Sequence, residues 1–187
     1  MSARAPTELE AQRDALAPEA SAPEASAQAR APDPSPHVRP ATEDDLAAVA
    51  AGVGDLLIEL GSTTAPPALA LVQAARALLE DPGAGALLVA QAGDAIVGVL
   101  GASWQLAIHV PGRYALIQDL WVHPSWRSRS IGGELLAAIC ELAREQGIAR
   151  VEVGLPRERF QGIRATEAFY LRNGFEPLSA RMRRILS

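Results

Sequence analysis

From residue 37 onward the apolar positions switch between a helical spacing of three and four and short continuous runs of strand length. His37–Pro40 reads as a first strand. Thr42, followed by Glu43, Asp44 and Asp45, marks a helix start with acid in its first turn, where the helix dipole favours negative charge. Leu46, Val49, Val53, Leu56, Leu57 and Leu60 carry that helix onward, with irregularities at Gly52 and Gly54. A second helix fits residues 67–80 on Leu69, Val72, Leu78 and Leu79, and Asp81-Pro82-Gly83 stops it. Residues 86–92 and 95–103 are apolar runs split by Gly93-Asp94, the pattern of an antiparallel hairpin. Pro111-Gly112 reverses the chain again before a strand over residues 114–123. The remaining pattern predicts a helix over 131–145, a strand over 149–155, a helix over 164–173, and strands near 175–177 and 180–186. This order predicts an α+β layout around a mixed sheet, without internal repeats.

Residues 1–36 break from this pattern. They are dominated by alanine and proline, with no aromatic residue and only Leu9 and Leu16 as large aliphatics after Met1, so they bury too little to offset ordering. A disordered tail over 1–36 and one domain over 37–187 is the expected organisation. Thr7 followed by Glu10 resembles a capping box, but an isolated helix of that length is marginal in water. The remaining stretch of about 150 residues suits a single α/β-type core.

Composition narrows the function classes. The formal net charge is −5, which provides no broad positive field for nucleic acid or an anionic membrane. All 17 basic side chains are arginine, a bias without catalytic meaning. A lone Cys140 excludes an intramolecular disulfide, and His37, His109 and His123 show no metal-ligand spacing. No run approaches the roughly 20 apolar residues of a membrane span, and the N-terminus lacks an apolar signal core. A cytoplasmic, soluble protein without a metal is expected.

The chemistry concentrates in residues 117–133, IQDLWVHPSWRSRSIGG. An apolar strand passes through a Pro turn and a Ser/Gly bend into the helix marked by Ile131, Leu135, Leu136 and Ile139. Consecutive backbone N–H groups from Ser128 to Gly133 can be aimed at an anion there, helped by the positive end of the helix dipole. Arg127 and Arg129 offer bidentate donors. A small-residue turn before a helix is common in its own right, so an ordinary helix start is the competing reading.

Three blocks in order give a more specific indication. Arg127-Ser128-Arg129-Ser130-Ile131-Gly132 resembles the acetyl-CoA-binding signature of the GNAT superfamily of N-acetyltransferases, with Ser130 where that family usually has its first glycine. AFYLRNGFEPL over 168–178 resembles a second family block, and VRPATEDDLAAV from Val38 resembles its first strand and helix. The resemblance spans residues 38–187 and implies a GNAT-like mixed, mostly antiparallel sheet flanked by helices. It implies acetyl-CoA as co-substrate, and direct transfer to a primary amine of a small molecule, peptide or protein within a ternary complex; a homodimer is compatible with it. It places the cofactor on the main chain of Leu120, Trp121 and Val122 and on Arg127, Ser128, Arg129, Ser130, Ile131, Gly132 and Gly133. Tyr170 matches the tyrosine that protonates the departing thiolate, with ordinary helix packing as its alternative. Where the family often has a cofactor-binding asparagine, this chain has Ile163, and where some relatives have a glutamate it has Gln118.

No residue stands out as general base. Asp119 is adjacent to Gln118, but strand alternation sends its side chain to the opposite face. His109 and Glu59 are candidates for the acceptor side, each as readily a solvated surface group. Cys140 lies about 12 Å along the helix from Gly132, far from the dipole end that would activate a thiol. Arg181, Arg183 and Arg184 read as a solvated edge. A non-catalytic acyl-CoA sensor or an interaction module is the alternative function.

Overall fold

The computed structural model describes residues 35–156 and 160–178, except the side chains of Val110 and Pro111. The tail over residues 1–34, the strand expected at 180–186 and its arginines lie outside the described residues. The described residues belong to the compact unit that begins at Asp33.

Among the described residues, β1 (His37–Pro40), α1 (Leu46–Glu59), α2 (Ala68–Glu80), β2 (Gly85–Ala92), β3 (Ala95–Ala107), β4 (Val110–Val122), α3 (Ile131–Glu145), β5 (Val151–Val153) and α4 (Ile163–Arg172) follow one another. The five strands form one sheet in the order β1-β2-β3-β4-β5. Every pairing is antiparallel except that of β4 with β5, which is parallel. That exception follows from connectivity, because β5 returns through the α3 crossover and a tight turn cannot join parallel neighbours. The fold is the α+β layout that the element order implied, with the mostly antiparallel sheet that the family resemblance implied.

The sheet has a core on each face. Val89, Val99 and Trp121 pack with Leu46 and Val49 of α1 and with the apolar side of α2. Leu88, Leu100 and Ile117 pack with Ile131, Leu135 and Ile139 of α3 and with Tyr170 of α4. Period-two alternation along each strand supplies both faces, which is why these strands read as continuous apolar runs. The irregularity in α1 has a packing reason. A Cβ on Gly52 would lie 2.7 Å from Cε3 of Trp121, so this glycine lets α1 settle onto the indole ring.

One ion pair fastens β1 to the start of α1. Asp45 is buried, and its carboxylate accepts two hydrogen bonds from the Arg39 guanidinium, at 2.7 and 2.8 Å. The same carboxylate accepts from the Thr42 amide at 2.7 Å and from the Thr42 hydroxyl at 2.9 Å. Hydrogen bonding from Arg39, assisted by Thr42 and opposed by burial, lowers the Asp45 pKa to about 2.

Three expectations shift, shorten or fail. The reversal expected at Pro111-Gly112 falls at residues 108–109, and Pro111 and Gly112 both lie inside β4, which starts at Val110 and not at 114. The strand over 149–155 narrows to Val151–Val153, and residues 175–177 form no strand. Instead the Phe175 amide donates to the Tyr170 carbonyl at 3.1 Å, closing the end of α4 after Gly174 at φ +81°.

Because Asp45 is ionised more readily in the folded chain than in the unfolded chain, its stabilising contribution is present above about pH 4 and lost as pH falls towards 2. Asp45→Asn should lower the unfolding free energy at pH 7 by about 2 kcal/mol. Urea titrations from pH 2 to 7 should show this difference shrinking across the acid window; a gap unchanged at pH 2 contradicts the assignment.

Candidate active site

β4 outlasts its neighbour. It pairs with β5 only from Ala115 to Ile117, whereas its pairing with β3 continues to Val122. A bulge at Gln118 sits at the parting point, because Ile117 faces Ala102 and Asp119 faces Gly101 with Gln118 left over. Beyond it, the β4 edge from Gln118 to Val122 is open on the β5 side. The gap widens into a cleft of about 1000 Å³, walled by β4, the residues following β5, and the facing ends of α1, α3 and α4.

The loop after β4 is built from unusual backbone. Pro124–Trp126 form a short 3-10 turn, and Ser128 and Ser130 then take left-handed conformations at φ 62° and 65°. Arg129 between them does not, and this alternation of hand makes successive N–H groups converge. The first amide bonded within α3 is that of Glu134, which donates to the Ser130 carbonyl at 3.0 Å. The amides of Ile131, Gly132 and Gly133 therefore emerge from the positive end of the helix into the cleft. Serine in the left-handed region costs about 1–2 kcal/mol, a strain that glycine would not carry.

Glycine in the first turn of α3 also sets a close approach. A Cβ on Gly132 would lie 3.0 Å from Cζ of Phe169, and one on Gly133 would lie 3.2 Å from Oδ1 of Asn173. The start of α3 thus abuts the end of α4, which brings Tyr170 to the cleft beside the amides.

Of the residues expected to contact cofactor or catalyse, Leu120, Trp121, Val122, Arg127, Ser128, Ser130, Ile131, Gly132, Gly133 and Tyr170 line this one cleft. The side chains of Leu120 and Val122 join the α3 face, while Trp121 turns to the α1 face. The Trp121 indole N–H is buried without a hydrogen-bond partner. Arg129 is not among the lining residues; its guanidinium stacks over the Trp126 ring at 4.6 Å. Arg127 is turned from the amide loop. Its Nε donates to the Val122 carbonyl at 3.0 Å and its Nη2 to Oε1 of Glu59 at 2.6 Å. The two side chains are 46% and 34% exposed, so the pair contributes at most about 1 kcal/mol.

Tyr170 is buried between Phe169 and Phe175, both edge-on to its ring. Burial pushes its phenol pKa up to about 12. Burial also raises the pKa of Asp119, which is absent from the cleft lining. Gln118 lines the cleft, and its amide donates to the Ser103 hydroxyl at 2.9 Å. His109 lies exposed at the β3–β4 tip, outside the cleft, whereas Glu59 is inside it. Cys140 is half-buried, with its thiol pKa raised mainly by burial. Among the described residues no cluster of His, Cys, Asp or Glu suits a metal ion.

Several cleft residues were not singled out in the sequence, although the resemblance implies that the first-helix region helps shape the acceptor pocket. Leu56 and Leu60 come from α1, Phe169, Arg172 and Asn173 from α4, and Trp126 from the turn. The Trp126 position could have been read from its place in the block; the others need tertiary contacts.

Known proteins share this architecture. A Bacillus halodurans C-125 transcriptional regulator superposes with TM-score 0.69 at 24% identity, covering 81% of this chain and 100% of its own. An aminoglycoside N-acetyltransferase, AAC(6')-Iy, solved in complex with CoA, gives TM-score 0.69 at 16% identity over 81% of this chain and 95% of its own. A Trypanosoma brucei acetyltransferase gives 0.62 at 25% identity over 81% and 100%. No curated protein matches in sequence.

Relief of the left-handed strain is measurable. Ser130→Gly should raise the unfolding free energy by about 0.5–1 kcal/mol, while Ser130→Val should lower it by about 2 kcal/mol. Equal denaturation midpoints for the two variants would contradict the loop conformation.

The match of residues 83–177 to the family model described as Acetyltransferase (GNAT) domain takes in the bulged strand, the amide loop and the helix bearing Tyr170, and the chain belongs to the GNAT acetyltransferase family.

Proposed function

We propose that this protein is an acetyl-CoA-dependent N-acetyltransferase that moves the acetyl group directly to a primary amine in a ternary complex. The observation that carries the reading is the convergence of three devices in one cleft: the amides at the start of α3, the open edge of β4 and the buried phenol of Tyr170. The CoA complex of the similar aminoglycoside acetyltransferase supports the choice of anion.

Each device answers one demand of the reaction. The amides of Ser128 to Gly133 take the coenzyme diphosphate, with negative charge at a helix N-terminus. The β4 edge from Leu120 to Val122, which β5 does not pair and where Arg127 takes the Val122 carbonyl, runs alongside the pantetheine arm as a missing strand would. An amide there donates to the thioester oxygen as it becomes an oxyanion, a contact worth about 3 kcal/mol. The amine nitrogen attacks the carbonyl carbon, the C–S bond breaks, and the Tyr170 hydroxyl gives its proton to the departing sulfur. Its raised pKa keeps it protonated throughout the neutral range, so the donor is always charged with its proton. Among the described residues the carboxylates that line the cleft are Glu59 and Glu134, neither of them on β4, and the amine proton leaves through water. The acetyltransferase domain comprises residues 37–187, and the Ala/Pro-rich tail is accessory to it.

One observation favours a second reading. Gln118, fixed on Ser103, cannot accept a proton, and one similar fold is a transcriptional regulator. An acyl-CoA sensor would bind the thioester without turning it over. Calorimetry with acetyl-CoA together with thiol release over a mixed amine panel decides between them. Binding with release supports the enzyme, and binding without release supports the sensor.

For the enzyme, kcat/KM should rise with pH as the acceptor ammonium loses its proton near 10, with no alkaline decline from Tyr170 below about pH 12. Tyr170→Phe should lower kcat about 100-fold while leaving acetyl-CoA affinity and the rising limb unchanged. Unchanged turnover in that variant removes Tyr170 as the acid.

A further inference from the structure

Two different chemistries meet in the cleft. One is the set of converging amides before α3. The other is the end of α1, where Leu56, Glu59 and the capping Leu60 line the cleft together with Trp121. Glu59 is the last residue of α1, where unbonded carbonyls already make the potential negative, and no basic residue occupies that turn. A carboxylate at this end of a helix is unfavourable unless a cation meets it. The cation that meets it is Arg127, 68 positions away in sequence, through Nη2 to Oε1 at 2.6 Å.

Arg127 also directly precedes Ser128, the first residue of the amide loop, so two anions compete for one guanidinium. The Glu59 pair is reached by solvent and therefore weakly held. A diphosphate carries more charge and accepts guanidinium in the same forked geometry. When Arg127 turns to it, Glu59 is left on a negative helix end, beside the apolar surface of Leu56, Leu60 and Trp121.

We propose that Glu59 is the acceptor-recognition carboxylate of this cleft, released from Arg127 by the coenzyme diphosphate to hold an ammonium group of the acceptor. Resting on the acetyltransferase reading above, this deepens it to an acceptor with two cationic nitrogens and an ordered sequence, coenzyme before amine. The nitrogen held by Glu59 is the one that does not react. A carboxylate beside the attacking nitrogen would raise its pKa and keep it protonated, which would slow the reaction. The apolar residues beside Glu59 suit the methylene chain that separates the two nitrogens.

Calorimetry on the full chain tests this without requiring turnover, using 1,5-diaminopentane and pentylamine as probes with and without saturating CoA. CoA should tighten diamine binding about tenfold and leave pentylamine unchanged. Glu59→Gln should abolish that coupling with CoA affinity equal or tighter, and Arg127→Gln should give the tighter diamine affinity without CoA. Should either variant fail to fold, as judged by its melting temperature, the other decides. Wild-type protein that binds CoA but shows no preference for the diamine overturns the proposal and leaves the acetyltransferase reading intact. Coupling that survives in Glu59→Gln also overturns it, as does weakened CoA binding in that variant, which would make Glu59 a positioning partner of Arg127. Wild-type protein that fails to bind CoA overturns the acetyltransferase reading itself.

Discussion

The whole site follows from a strand that continues after its neighbour has stopped. Backbone N–H and C=O groups at a sheet interior must be paired, and β4 leaves a row of them open from Gln118 onward because β5 ends at Val153. An extended ligand that can hydrogen-bond along that row completes the sheet. The bulge at Gln118 turns the strand as the gap opens, and the loop beyond β4 then delivers the chain to the N-terminus of α3. Edge, amides and helix end are thus consecutive along one stretch of chain, and α1, α4 and the residues following β5 complete the walls of the cleft.

That economy explains what was legible in the sequence. Residues 117–133 carry the strand, turn and helix start locally, so their roles could be read from spacing and residue type. The hairpin turn at Gly93-Asp94 and the cap at Thr42 were equally local, whereas the reversal expected at Pro111-Gly112 falls at residues 108–109. Ser130 departs from the glycine of the family pattern, yet it adopts the left-handed backbone that a glycine would take. The loop conformation is therefore kept despite the substitution.

Features that depend on distant partners were not legible. Nothing near Arg127 announces Glu59, and nothing near Gly132 announces Phe169. Sequence spacing left both arginines of the loop equally available to an anion. In the structure Arg127 is occupied by a carboxylate from α1, and Arg129 stacks on Trp126. Residues 175–177 read as a strand in the sequence, but their first amide closes α4 instead.

The order in which the sheet is connected bears on how the molecule assembles. β2, β3 and β4 are successive antiparallel neighbours, whereas β5 joins only after α3 has carried the chain across the sheet. Closing that longer loop costs more chain entropy before any contact offsets it. Among the described residues, three residue pairs join β5 to β4. β5, a wall of the cleft, therefore pairs through a longer connection than the central hairpins do. A molecule bound there suppresses local unfolding, so occupancy would be registered as slowed amide hydrogen exchange around residues 151–153 while the central hairpins stay unaffected.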